Sequence, residues 1–158
     1  MNTDLSKLVD ESIRLELYVA DIYMIFYKIF PEDSVFWWKL VLEEKHHAAL
    51  IESIKNTVFS NELFDTSFQV LLITNNKLAS LINEYNQNPP SRESAFNTAL
   101  EIEQSTGELH VQLVMEKSAG TIAVKIFQEL NSDNKDHLNR IRSYMATNGI
   151  EIRNSITK

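Results

Sequence analysis

Two glutamates and two histidines stand close together in the segment VLEEKHHAAL, residues 41–50. Glu44 and His47 are three positions apart, so on a helix both side chains project from the same side. A carboxylate beside an imidazole is a common ligand pair for divalent metals such as zinc and iron. The first interpretation is therefore the inward-facing edge of a metal site, with Glu43 and His46 as bystanders. The alternative is a charged surface turn that happens to contain histidines.

Glu16 raises the same question from another part of the chain. It lies between Leu15 and Val19, on the apolar half of its helical pattern. An unpaired carboxylate buried there would cost several kcal/mol or be forced to take up a proton. No lysine or arginine falls on the matching inward positions, so we expect some other cation to compensate the charge. A solvated helix face is the alternative for Glu16 taken alone.

An internal repeat places residues of corresponding type in the second half of the chain. LELYVADIY, which begins at Leu15, aligns with IEQSTGELH from Ile102, and LEEKHHAALI from Leu42 aligns with SDNKDHLNRI from Ser132. The alignment pairs residues of similar type, namely Glu16 with Glu103, Ala20 with Gly107, Tyr23 with His110, Glu43 with Asp133 and His47 with His137. Taken as a set, these correspondences predict a metal site built by both halves of the chain. Asp133 is expected to be a surface charge, and His110 an interior histidine.

The elements that must position these residues are long helices. Periodic apolar residues predict helices over residues 4–30, 35–58, 92–117 and 121–147, with a further helix within residues 66–86. Ser34 and Ser91 are predicted N-caps, and Gly149 is the predicted C-terminal glycine. The prediction is an all-α single domain over residues 1–158. Its architecture would be a four-helix bundle in which a long helical crossover, at about residues 59–90, connects two antiparallel helix pairs.

At these positions the chain resembles the ferritin-like superfamily, and within it the rubrerythrin-like proteins. IRLELYVADIYMIFYKIF is similar to the first helix of that family, LVLEEKHHAALI to the second and ALEIEQSTGEL to the third. Proteins of this type hold two iron ions with one glutamate from each of two helices and a Glu-x-x-His from each of the other two. The resemblance implies the ferritin-like version of the bundle, and a reaction that reduces peroxide or oxidises ferrous ions.

The resemblance also assigns roles to individual residues. Glu16 and Glu103 would be bridging or terminal carboxylates, and His47 and His137 terminal nitrogen ligands. Glu44 would chelate one metal. Tyr23 would lie near the site as a hydrogen-bond donor with a catalytic role. One or two iron ions per chain are implied, with zinc or manganese as other divalent candidates.

Two departures from the family pattern bear on function. The second Glu-x-x-His is Asn134-x-x-His137 here, so an amide that cannot neutralise a cation replaces one carboxylate. Asp133 could substitute for it only with a local distortion of the helix. The chain also has no cysteine for a rubredoxin-like iron centre, so a redox reaction would need an external electron donor.

Composition excludes several other classes of protein. The absence of cysteine rules out thiolate zinc sites and Fe–S clusters, and the formal net charge of −7 argues against a nucleic-acid binder. No secretory signal is visible, and no apolar run approaches the ~18 residues of a membrane span. We expect a cytoplasmic homodimer with no nucleic-acid or membrane partner.

A second functional hypothesis follows from Asn134. The chain could be a catalytically inactive helical module that kept the fold and acts by dimerisation, or by binding a protein partner through the Trp37–Trp38 region. An iron-storing cage is a third possibility, for which no assembly symmetry is visible in the sequence.

Overall fold

The computed structural model describes residues 3–55, 65–115 and 122–153 of the chain. The regular structure of these residues is entirely helical, so the predicted all-α class is confirmed. The helices are α1 (Thr3–Ile29), α2 (Ser34–Ser53), α3 (Asp65–Gln87), α4 (Arg92–Met115) and α5 (Ile122–Thr147), and a short 3-10 turn at Pro31–Asp33 joins α1 to α2.

Four of these helices pack as two antiparallel pairs that together form a bundle. In the first pair, Tyr23 of α1 meets Trp37 at the start of α2, with ring centroids 5.6 Å apart. In the second pair, the rings of Phe96 of α4 and Tyr144 of α5 stack at 5.5 Å. The pairs then meet through contacts of α2 with α5 and of α1 with α4. The interior between the four helices is where any inward-facing polar residue must lie.

Helix α3 packs on α1 and α4. Asn75 of α3 donates a hydrogen bond of 2.9 Å to the backbone oxygen of Glu11, and the Tyr85 ring lies 5.7 Å from that of Phe26. α3 thus follows α1 along the outside of the first pair and reaches α4 near its beginning. Residues 59–64 of the predicted crossover lie outside the described residues.

A buried ion pair closes the end of the bundle where α1 turns into α2. Asp33 is almost fully buried and accepts hydrogen bonds of 2.8 and 2.7 Å from Arg92 of α4. The same carboxylate accepts a hydrogen bond of 2.8 Å from Tyr144 of α5. One side chain therefore connects the turn to both helices of the second pair.

The helix boundaries follow the predictions at most ends. Ser91 caps α4, accepting a hydrogen bond of 3.1 Å from the backbone N–H of Ser94. Gly149 has a φ of +66° and allows Ile150 N–H to reach Met145 O, the Schellman arrangement that ends α5. Two predictions about α2 were wrong, one at each end of the helix. At its start, Ser34 was predicted as the N-cap but is the first helical residue. The N-cap of α2 is Asp33, which makes no side-chain capping hydrogen bond.

The second boundary error concerns the end of α2, which was predicted at residue 58. The helix ends at Ser53, and Ile54 and Lys55 form a turn; residues 56–58 lie outside the described part of the chain. In the described ranges, no helix combines the length and the apolar character that crossing a membrane requires.

Candidate metal centre

Five of the six predicted metal ligands converge at the centre of the bundle. They form two groups of potential ligands whose oxygen or nitrogen atoms lie within 4.8 Å of one another, Glu16 with Glu44 and His47, and Glu44 with Glu103 and His137. All five side chains are buried. The helices α1, α2, α4 and α5 each supply at least one member, so the site exists only when both helix pairs are assembled.

The first group lies between α1 and α2. His47 Nδ1 is 3.1 Å from Glu44 Oε2 and 3.7 Å from Glu16 Oε2. Glu44 and His47 are one turn apart on α2 and both face α1, as their spacing predicts. Glu16 comes from the apolar face of α1, next to the buried side chain of Ala20.

The second group lies between α4 and α5 and contains Glu44 again. His137 Nδ1 is 2.9 Å from Glu44 Oε1 and 3.3 Å from Glu103 Oε2. Glu44 therefore faces one histidine with each carboxylate oxygen. Glu44 is thus shared by the two groups, and its sequence-based role as the chelating ligand of one metal stays a prediction.

Tyr23 donates a hydrogen bond of 2.5 Å from its hydroxyl to Glu103 Oε1, which is the position expected for it. Burial and the negative charge of Glu103 raise the pKa of this hydroxyl well above its ordinary value. Tyr23 thus remains protonated and holds Glu103 in place from the α1 side.

Asn134 stands beside the second group and acts as a hydrogen-bond donor. Its amide nitrogen lies 2.8 Å from Glu103 Oε2 and 2.9 Å from Thr106 Oγ1. The amide therefore orients Glu103 from the α5 side, opposite Tyr23. In this geometry the amide nitrogen, not an oxygen ligand, is turned towards the cluster.

Each histidine also meets an outer carboxylate supplied by the opposite helix pair. His47 Nε2 is 3.2 Å from Asp133 Oδ2 on α5, and His137 Nε2 is 3.1 Å from Glu43 Oε2 on α2. Glu43 is held in turn by Arg140, through contacts of 2.9 and 2.6 Å. A carboxylate on the outer nitrogen fixes the orientation of a metal-binding imidazole and increases its basicity.

These two carboxylates bear on two sequence-based predictions. Glu43, interpreted as a bystander, contacts the buried His137, whereas Asp133 lies at the surface as expected, with its side chain 43% exposed, and also contacts the buried His47. The internal repeat already paired Glu43 with Asp133, and that pairing was the signal from which their equivalent roles could have been inferred. His46 is exposed, as expected for a bystander. The prediction for His110 concerns a side chain outside those that the structure describes.

Within the cluster, protonated histidines compensate the negative charge of the buried carboxylates. Burial alone would lower the pKa of His47, but hydrogen bonds with Glu16 and Glu44 raise it to about 10. Burial would likewise lower the pKa of His137, which hydrogen bonds with the surrounding glutamates raise to about 12. Burial and the charge of Glu103 raise the pKa of Glu44 to about 7. Two protonated imidazoles therefore supply the positive charge that the buried carboxylates require.

No family model matches this chain, and neither does any curated protein or solved structure. What the cluster can do must therefore be argued from its own atoms.

The donor set fits a divalent metal. Carboxylate and imidazole ligands suit iron, manganese and zinc. Among the described side chains, Glu44 and Glu103 form ion pairs with histidines and with no lysine or arginine. Glu44 Oε1 lies 2.9 Å from His137 Nδ1, a close contact with an imidazole. A cation that replaced the imidazolium proton would find a buried carboxylate oxygen there.

Proposed function

We propose that the protein is a rubrerythrin-like member of the ferritin-like superfamily that binds one or two divalent ions, most suitably iron, between its two helix pairs. The observation that supports this most strongly is the convergence of three buried glutamates and two buried histidines from four helices. The negative charge of this buried cluster must be compensated by positive charge. Within the cluster itself, only protonation of the two histidines can supply it. In this proposal α3 is the helical part of the crossover between the pairs.

The number of carboxylates bears on how many metal ions can bind. Glu16, Glu44 and Glu103 carry three negative charges when ionised, against four positive charges on two divalent ions. The outer carboxylates of Asp133 and Glu43, each in contact with a ligand histidine, add negative charge close to the site. They reduce the excess positive charge left by the replacement of the fourth carboxylate with Asn134, which makes a second ion possible.

Glu16, Glu44 and His47 would hold one ion, and Glu44, Glu103 and His137 would hold the other. Bound ferrous iron would supply the electrons for reduction of peroxide, and an external donor would restore them. The residues of the chain then have defined tasks. Tyr23 and Asn134 orient Glu103, while Asp133 and Glu43 orient the imidazoles.

Metal analysis of protein purified without chelator is the direct test of this proposal. We expect iron, or another divalent metal, near one or two ions per chain. A preparation that contains no metal, and that fails to take any up when ferrous ions are supplied anaerobically, would contradict it.

A second candidate function is favoured by the contacts of Asn134. Because its amide donates to Glu103, the cluster is hydrogen-bonded internally where the family has a fourth ligand. The chain would then be an inactive helical module that dimerises or binds a protein. Trp38, 41% exposed and 5.3 Å from the Tyr27 ring, would serve this contact, whereas Trp37 is buried in the core. A dinuclear iron signature together with peroxide turnover would exclude this candidate, and light scattering measures the proposed dimer.

A further inference from the structure

The two helix pairs differ at the surface that lies over the cluster. Between α4 and α5 a cleft of about 500 Å³ extends from the surface to Glu103 and Asn134. Both of these residues are buried and belong to the metal centre or contact it. The cleft therefore reaches a proposed metal ligand from outside the bundle.

Gly107 lines this cleft beside Asn134. A Cβ atom placed on Gly107 would lie 3.5 Å from Asn134 Cβ, an ordinary contact, so the cleft has room for at least a methyl group at this position. The repeat pairs Gly107 with Ala20 and Asn134 with Glu44. In the first helix pair both positions therefore carry larger side chains, and Ala20 is 1% exposed.

The lining of the cleft is mainly apolar in area, with Gly107 and Leu138 among its residues, but polar side chains occur at several depths. Gln104, Glu108 and Lys135 are exposed at the rim, Asn131 is half-buried, and Glu103 lies at the bottom. Amide and carboxylate oxygens thus occur from the surface to the ligand. Oxygen atoms of this kind replace the hydration water of a divalent cation.

We propose that the cleft between α4 and α5 is the route by which a divalent cation reaches the centre, with Glu103 as the first ligand that it meets. This inference rests on the proposed metal site. It explains why the two halves differ in residue size at corresponding positions, since only one of them has to admit an ion from solvent.

The test uses the absence of cysteine from the chain. A single cysteine introduced by Gln104→Cys can be labelled after folding with a bulky thiol reagent, which narrows the mouth of the cleft without affecting the folding reaction. Ser105→Cys is the matched control, because Ser105 is also exposed on α4 but does not line the cleft. The probe is Co²⁺, whose visible absorption reports both the extent and the rate of binding.

We expect the label on Gln104→Cys to slow Co²⁺ uptake and chelator-driven release by about tenfold or more, because the ion must then wait for local opening of the helices. The label on Ser105→Cys should leave both rates unchanged, and the final stoichiometry should be the same in all proteins. Equal rates for the two labelled variants would overturn the access route while leaving the metal site intact. An unlabelled wild-type protein that binds no Co²⁺ would instead overturn the proposed function itself.

Substitution of Gly107 provides an independent check. Gly107→Leu should fill part of the cleft and slow Co²⁺ uptake, whereas Gly107→Ala, whose Cβ meets only ordinary contacts, should have a smaller effect. Slower uptake by both variants in proportion to side-chain size supports the route. Uptake that is as fast in the folded leucine variant as in the wild type contradicts it.

Discussion

The two halves of the buried glutamate and histidine cluster share one internal repeat but differ at two of its positions. In the half formed by α1 and α2, Glu44 supplies a carboxylate and the buried Ala20 takes the place that Gly107 has in the other half. In the half formed by α4 and α5, the corresponding residues are Asn134, which donates to Glu103, and Gly107, which leaves a cleft. The half formed by α4 and α5 has no carboxylate at the position of Asn134. Glu44 of α2 instead contacts the histidines of both halves.

This difference makes the cluster symmetric in its outer contacts and asymmetric in its inner ones. The outer contacts remain reciprocal, with Asp133 on His47 and Glu43 on His137. The inner contacts are no longer equivalent, since a single carboxylate serves both sides. We therefore expect substitutions in the two halves to have unequal effects, and the predictions below measure that inequality.

The largest effect is expected for Glu44→Gln. Because Glu44 belongs to both groups, its loss should weaken metal binding at both positions together. The expected loss of affinity is roughly a hundredfold or more, which exceeds the 10–100-fold loss typical when a partner of a metal ligand is removed. Glu16→Gln should affect only the first group. Calorimetric titration with Co²⁺ measures both variants, and Glu52→Gln, an exposed change on α2, is the control. Equal losses for Glu44→Gln and Glu16→Gln would contradict a shared ligand.

The outer carboxylates should have the next largest effect. Asp133→Asn and Glu43→Gln each remove the acceptor on the outer nitrogen of a ligand histidine, which typically weakens metal affinity about 10–100-fold. The change at Glu43 should be the larger, because Arg140 orients this carboxylate whereas Asp133 is more exposed. Asp136→Asn, which neutralises an exposed carboxylate beside His137, is the control. If all three variants bind Co²⁺ equally well, the reciprocal contacts have no role in binding.

Asn134→Glu should give α5 the carboxylate that Glu44 supplies on α2 at the corresponding position. The adjoining cleft provides room, and a fourth carboxylate should tighten binding of divalent metal by about tenfold, or ~1.4 kcal/mol. The metal-free protein should become less stable, because another carboxylate is buried. Competition with a chelator measures the affinity, and thermal unfolding measures the stability. Asn139→Glu, which adds the same charge at an exposed position of α5, is the control, and weaker binding by Asn134→Glu would contradict the assigned register.

A further expected effect, common to both halves, is a pH dependence of stability in the metal-free protein. The pKa values of His47 and His137, about 10 and 12, lie above the ordinary value of about 6.5 for an unfolded chain. The folded state thus holds protons that the unfolded state releases, so their contribution is complete below about pH 6.5 and declines as the pH rises towards 10. The melting temperature should fall by roughly 2–4 °C for each kcal/mol lost.

A bound metal should remove this decline, because it takes the place of the protons. Thermal unfolding at several pH values, in chelator and in saturating Zn²⁺, measures the difference. A melting temperature of the metal-free protein that rises between pH 7 and 10 would show that the imidazoles are not the charges that stabilise the cluster.

Much of the cluster could be predicted from sequence because polar residues on apolar helix faces have few acceptable environments. Glu16, Glu44, His47, Glu103 and His137 all came from this argument together with the repeat. Helical periodicity gives the direction of a side chain relative to its own helix. It does not give the residue that it meets on a neighbouring helix. For that reason the shared position of Glu44 and the contacts of Glu43 and Asp133 became visible only in the assembled bundle.

The same limit applies to the fold. Apolar spacing predicted the helices and their pairing, because each long amphipathic helix must cover its apolar face. The end of α2 at Ser53 and the cap at Asp33 were missed. Asp33 is held by Arg92 and Tyr144, which are distant in sequence, so tertiary ion pairing and not local capping preference determines its position.

Anaerobic titration with ferrous ions in a weakly buffered solution, with simultaneous measurement of pH, tests the central claim most directly. Because the metal-free cluster holds its charge with protonated histidines, binding and proton release should occur together. We predict saturation near one or two ions per chain, with at least about one proton released per ion, and both signals displaced to roughly hundredfold higher ferrous concentration in Glu44→Gln. Ferrous binding no greater than that of serum albumin, with no release of protons, would contradict the account.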